Sequence, residues 1–104
     1  QGNNAYIFPG IGLGAIASNA TTITDEDFLI AAETLAQQVN QDRLDQGCIY
    51  PSLNNIRRVS VKIASAVATN VYKSGRSNSN SIPTNIEMHC QSFMYYPEYI
   101  NQAE

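Results

Sequence analysis

Ala5-Tyr6-Ile7-Phe8-Pro9-Gly10-Ile11-Gly12-Leu13-Gly14-Ala15-Ile16-Ala17 is the stretch on which the fold turns. Ala5 to Phe8 is a short apolar run rich in β-formers, and Pro9-Gly10 cuts it off, which is the pattern of a buried strand. Gly10 to Ala17 stays apolar without alternation, as a glycine-rich turn running into a short, closely packed helix would. A single buried strand leaves backbone groups without hydrogen-bond partners, so the partner strands are expected outside the chain. Residue 1 is Gln rather than Met, and with an ordered element expected within four residues of it, the chain reads as a piece of something longer.

Working outward, the remaining elements are helical. Thr24 can cap a helix, Asp27 stands three residues on in an approximate capping box, and Asp25, Glu26 and Asp27 occupy a first turn where the helix dipole favours anions. Phe28, Ala31, Ala32, Leu35, Ala36 and Val39 follow at helical spacing. Cys48 to Leu53 is a connector in which Pro51 bars helix at Tyr50, and Asn54 or Asn55 can cap the next helix. There Ile56, Val59, Ile63, Val67 and Val71 make one stripe, while Val61, Ala64, Ala68 and Tyr72 widen it, which implies burial on two sides. Gly75 to Ser81 has the composition of a flexible polar loop. Pro83 to Asn85 precedes a last helical piece from Ile86 to Met94, and an aromatic tail at Tyr95, Tyr96 and Tyr99 ends the chain. The expected fold class is an α/β fragment, mostly α.

The composition narrows what such a segment can do. The 104 residues carry 6 Lys+Arg against 9 Asp+Glu, a net charge of −3, and only 14% are charged, well under the roughly 25% of an average domain. Asn, Gln, Ser and Thr take up 33 positions instead. Six scattered cations make no basic stripe, so nucleic acid is not an expected partner. No window approaches the ~18 apolar residues of a membrane span. Cys48 and Cys90 lie far apart with no metal or redox spacing, and free thiols in a reducing, intracellular compartment are expected. The surface is expected to be polar but weakly charged.

Several motifs invite chemistry. Gly10-x-Gly12-x-x-Ala15 fits the pattern of a dinucleotide-binding turn, but that site needs a second strand ending in an acid about 20 residues on. The region around Ile30 is mid-helix and Glu33 lies on that helix, so packing through small residues is the expectation. Asn3-Asn4 can donate to a carboxylate or carboxamide, or can simply form a turn. Arg57 and Arg58 are expected in the first turn of a helix, where a cation is disfavoured; either an anionic partner offsets the dipole there, or the two are solvated arginines reaching away from the helix end. His89 and Cys90 are neighbours on one helix and point about 100° apart, which argues against a nucleophilic pair.

With these residues laid out, the chain resembles the C-terminal portion of malic enzyme. The likeness is carried by Gln1 to Gly14, by Thr24-Asp25 with the helix through Leu35 and Ala36, and by Tyr50-Pro51. It continues through Ile56-Arg57, Val59-Ser60, Ile63-Ala64, Met94-Tyr95 and Pro97-Glu98-Tyr99. The run from Ser74 to Asn80 departs from the pattern. The resemblance implies oxidative decarboxylation of L-malate to pyruvate and CO2, with NAD or NADP taking the hydride and Mg or Mn assisting. Residues 1–74 would then close a Rossmann-type NAD(P)-binding domain, 75–85 would be a polar loop, and 86–104 a helical and aromatic extension. The resemblance also implies a homo-oligomeric parent, dimer or tetramer, in the cytoplasm or mitochondria. Asn3 and Asn4 look like its substrate-binding asparagines. The base, acid and metal ligands look to lie upstream, so no catalytic or metal residue is assigned here. The segment alone is expected to be inactive. The rival expectation is a non-catalytic helical module docking through its Tyr-rich tail.

Overall fold

A computed structural model of the chain describes residues 4–46 and 53–94. Four helices make up the described part: α1 (Asn4–Ser18), α2 (Asp25–Gln46), α3 (Leu53–Lys73) and α4 (Ile86–Gln91). Asn3, the connector around Cys48 and Pro51, and the Tyr95–Tyr99 tail lie outside the described residues.

The expected strand at Ala5–Phe8 is corrected: these residues are the first half of α1, and Pro9 sits inside the helix. The glycines do not form a turn either. They sit in the same helix, and their spacing explains why it forms. Gly10, Gly14 and Ala17 fall on one helical face, and that face lies directly on α3. A Cβ on Gly10 would stand 2.5 Å from Ile63 Cγ2, and one on Gly14 2.8 Å from the Ala64 carbonyl oxygen. Close packing of two helices thus outweighs the β preference of Tyr6-Ile7-Phe8 and the helix penalty of Pro9. The orphan-strand argument for missing partner strands falls with this correction.

α3 is the central element and carries two apolar faces, as its widened stripe implies. Val59, Ile63, Val67 and Val71 are fully buried with Ile11, Ala31 and Leu35. Ala64 and Ala68 pack on the other side with Ala17 and Cys90, flanked by Leu13, Tyr72 and Ile86. α1 and α3 run parallel, since the position 10 contact is to residue 63 and the position 14 contacts are to residues 64 and 67. α2 runs antiparallel to them, because its first turn meets the end of α3 through Asp27 and Asn70. Its buried row is Asp27, Ala31 and Leu35, while Phe28 remains 42% exposed.

Helices α1 and α3 end in the same way. After α1, Asn19 adopts φ 55°, its N–H donates to Ile16 O, and the Ala20 N–H donates to Ala15 O. After α3, Gly75 adopts φ 73°, its N–H donates to Tyr72 O, and the Arg76 N–H donates to Val71 O. Both are Schellman endings, which use a left-handed residue to satisfy the last carbonyls. The two exits then pair: Thr21 N donates to Arg76 O at 2.8 Å and Asn78 N to Asn19 O at 2.9 Å, around an antiparallel bridge of Ala20 with Ser77. The first part of the expected flexible loop is therefore held in place. Asn85 caps α4 by accepting from the Met88 N–H at 2.9 Å. α3 begins at Leu53, so Asn54 and Asn55 lie inside its first turn rather than capping it, and Arg57 and Arg58 fall in its second.

Candidate functional site

Of the two asparagines singled out, Asn3 lies outside the described residues and Asn4 is the first residue of α1. Asn4 thus stands at a helix start, where the first backbone N–H groups lack intrahelical partners and the helix dipole is positive. The helix behind it is firmly held. The glycine face locks α1 to α3, and every one of its last four carbonyls is occupied. Ala15 O and Ile16 O take the backbone bonds described above, Ala17 O accepts from His89 Nε2 at 2.9 Å, and Ser18 O accepts from the Ser77 hydroxyl at 2.6 Å.

The strongest electrostatic feature lies at the other end of α1, at the start of α2. Thr24 N donates to Asp27 Oδ2 at 3.0 Å, and Asp27 N donates to Thr24 Oγ1 at 3.3 Å, so the capping box forms with Asp in the acid position. The same carboxylate, fully buried, accepts from Asn70 Nδ2 at 2.9 Å. It also accepts both terminal nitrogens of Arg76, at 2.7 and 2.9 Å. Burial pushes the Asp27 carboxyl up, but hydrogen bonds from Arg76, Asn70 and Thr24 outweigh it and hold the group down at about 2. Arg76 in turn donates to Thr22 O at 2.8 Å. Sequence reading missed Arg76 and Asn70, although Gly75 just past a helix end marks the turn that aims Arg76 back. The arrangement ties α2 to the end of α3 and is structural.

His89 and Cys90 do not act together. The imidazole is engaged by Ala17 O and stands edge-on to Phe93 with ring centroids 5.0 Å apart. Cys90 is a free, fully buried thiol, pushed up to about 11 by burial and then by the nearby Glu87 carboxylate. A thiol so far from ionisation is a poor nucleophile. Among the described residues no group of three or more His, Cys, Asp or Glu could hold a metal ion, and no helix is long and apolar enough to cross a membrane.

An open groove of about 450 Å³ lies between α1, through Pro9, Gly12, Leu13 and Ile16, and the first half of α3, through Arg57 and Ser60, with Phe93 and Met94 also lining it. Its lining is mostly apolar.

The described residues form a helical layer in which glycines of α1 lie against α3. The family model described as "Malic enzyme, NAD binding domain" matches residues 1–72, and the chain belongs to that family. It is 48% identical over 97% of its length to the chloroplastic NADP-dependent malic enzyme of Flaveria pringlei. It is 48% identical over 95% to the NADP-dependent malic enzyme of Populus trichocarpa, and 43% identical over 95% to that of Homo sapiens. The chain spans 16–17% of the length of these relatives.

Proposed function

We propose that the chain is the C-terminal segment of a malic enzyme, which converts L-malate to pyruvate and CO2 while NAD or NADP accepts a hydride. The observation that carries this reading is the family match over residues 1–72, which includes Asn3 and Asn4, together with the names of the relatives. Residues 1–74 then complete the NAD(P)-binding domain, 75–85 connect, and 86–104 form an extension. The parent is an intracellular homo-oligomer, dimer or tetramer, in the cytoplasm or mitochondria.

The described residues do not fit the reaction's Mg or Mn ion, since they contain no ligand cluster. Nor do they fit a pyrophosphate: Gly10-x-Gly12-x-x-Ala15 lies inside α1 rather than at a helix start, and Ile63 and Ala64 occupy the space beside Gly10 and Gly14. No step is therefore assigned to the metal or the dinucleotide within this segment. What the segment supplies is Asn3 and Asn4. Their amides donate to a carboxylate of malate, and the helix that follows Asn3 acts as a rigid strut, which is what precise substrate positioning requires.

The test replaces the aligned stretch of the Populus trichocarpa enzyme with these 104 residues and follows malate-dependent NADPH formation. Activity within about tenfold of the parent is expected, with Asn4→Ala lowering kcat/KM for malate by about 10–100-fold. A soluble, folded chimera without any malate turnover would overturn the reading.

A further inference from the structure

The tripeptide Ser-Asn-Ser occurs twice in succession, as Ser77-Asn78-Ser79 and Ser79-Asn80-Ser81, in a run that departs from the family pattern and has no role in the proposed activity. Asparagine is a labile residue, and most so before a small one, because the next backbone nitrogen can attack its side-chain carbonyl carbon. The attack needs that nitrogen free of other hydrogen bonds and a backbone able to bring it to contact distance. Identical local sequence makes the two steps equal in intrinsic reactivity, so the fold decides between them.

The fold guards the first step and leaves the second open. Asn78 N donates to Asn19 O at 2.9 Å, inside the clasp between the ends of α1 and α3. Ser79 N, the attacking atom of that step, donates to Ser77 Oγ at 2.9 Å, and Ser77 is itself tied to Ser18 O. Asn80 and Ser81, by contrast, are both exposed and form a bend, and neither makes a hydrogen bond among the described residues. Other asparagines are held. The N–H that follows Asn19 donates to Ala15 O, Asn70 gives its amide to Asp27, and the Asn85 side chain accepts from Met88 N.

We propose that Asn80 is a site of spontaneous deamidation through a succinimide, while Asn78 is spared. The Ser81 backbone nitrogen attacks Asn80 Cγ and forms a C–N bond; the Cγ–Nδ2 bond breaks, and Nδ2 leaves as ammonia with the proton given up by Ser81 N. Water then opens the ring. Opening at Cγ gives aspartate, and opening at the main-chain carbonyl gives isoaspartate, so one water is consumed and one ammonia released with no change of oxidation state. Either product adds a negative charge at position 80. The isoaspartyl form also inserts a methylene into the main chain between the Ala20–Ser77 bridge and the Asn85 cap, and its exposed carboxylate is the chemistry that a carboxyl-methylating repair enzyme acts on.

The experiment incubates the full-length chimera described above in mildly alkaline buffer, folded and in urea, and follows positions 78 and 80 by peptide mass spectrometry. Isoaspartate is detected separately by enzymic carboxyl methylation. In the folded chimera, conversion at Asn80 is expected to be at least about tenfold faster than at Asn78, whose step is guarded by two hydrogen bonds. In urea the two rates are expected to fall within about threefold of each other, since the tripeptides are the same. Isoaspartate is expected among the products at position 80. Equal rates at the two positions in the folded chimera overturn the proposal. So does conversion at Asn80 more than about tenfold slower in the folded protein than in urea, which would mean that the rest of the enzyme covers the bend. Aspartate formed without isoaspartate overturns the succinimide route. The comparison needs folded protein but no malate turnover, so its outcome is separate from that of the proposed activity.

Discussion

Arg76 grips the buried carboxylate of Asp27 with both terminal nitrogens, at 2.7 and 2.9 Å, and closes the end of α3 onto the start of α2. The Arg76 side chain is 13% exposed and the Asp27 side chain fully buried, so the pair is shielded from the screening that makes surface bridges weak. Replacing such a pair by apolar residues can be neutral, but breaking it leaves a buried charge unpaired. Asp27→Asn is therefore expected to destabilise the chain by about 3 kcal/mol in urea unfolding. Arg76→Lys, which keeps charge but loses the fork, should cost less, and a double-mutant cycle should show coupling above about 1 kcal/mol. Additive losses at the two positions would mean that the pair contributes little.

The same carboxylate sets an acid limit. Its folded pKa lies at about 2, below the ordinary 3.8, so the folded state binds the proton less readily than the unfolded chain. The stabilisation is fully present above about pH 4 and is lost as pH falls towards 2, amounting to about 2 kcal/mol. Unfolding midpoints measured across that window should drop in the native chain and much less in Asp27→Asn, where no carboxylate remains to protonate.

How much of this was legible depended on whether a signal was local. Thr24 with Asp27, and the row Val59, Ile63, Val67 and Val71, announce a capped helix and a buried stripe through spacing alone, and both are present. α1 misled because two signals compete within it. Tyr6-Ile7-Phe8 followed by Pro9 looks like a strand and its end, whereas Gly10, Gly14 and Ala17 at helical spacing look like a packing face. The second prevails through contact with α3, a residue set some 50 positions away that no local window contains. Arg76 was hidden for the same reason. Its run of Ser and Asn reads as loose chain, and only the meeting of two helix ends reveals that Thr21, Thr22 and Asp27 hold it. The asparagine pair was legible only through resemblance, because its chemistry depends on parts of an enzyme that the 104 residues do not include.

The two packing glycines should differ in their tolerance. At Gly10 an added methyl meets the Ile63 side chain, while at Gly14 it meets the Ala64 backbone oxygen, which can move only if α3 moves. Gly14→Ala is expected to cost about 1–3 kcal/mol by forcing the helices apart. Trimming a neighbouring side chain should not recover it, whereas Gly10→Ala, which meets Ile63 Cγ2 at 2.5 Å and Cβ at 2.7 Å, should be partly relieved by Ile63→Ala, which removes Cγ2. Thermal or urea unfolding of both variants decides it, and equal losses with equal rescue would contradict the assignment of backbone contact at Gly14.

His89 reaches from α4 to accept no proton but to donate one: Ala17 O is an acceptor, so Nε2 carries the hydrogen at 2.9 Å. That bond completes the set on the last turn of α1, where an unsatisfied carbonyl would otherwise be left between packed helices. His89→Leu should remove about 1 kcal/mol of stability, and because the loss falls at the end of α1, the Asn19 and Ala20 amides should exchange with solvent faster while those in the middle of α3 change little. His89→Gln keeps an N–H donor at about the reach of Nε2 and should restore part of the protection. If exchange at Asn19 and Ala20 is the same with leucine as with histidine, the imidazole does not hold this helix end, and the Schellman turn alone suffices to close it.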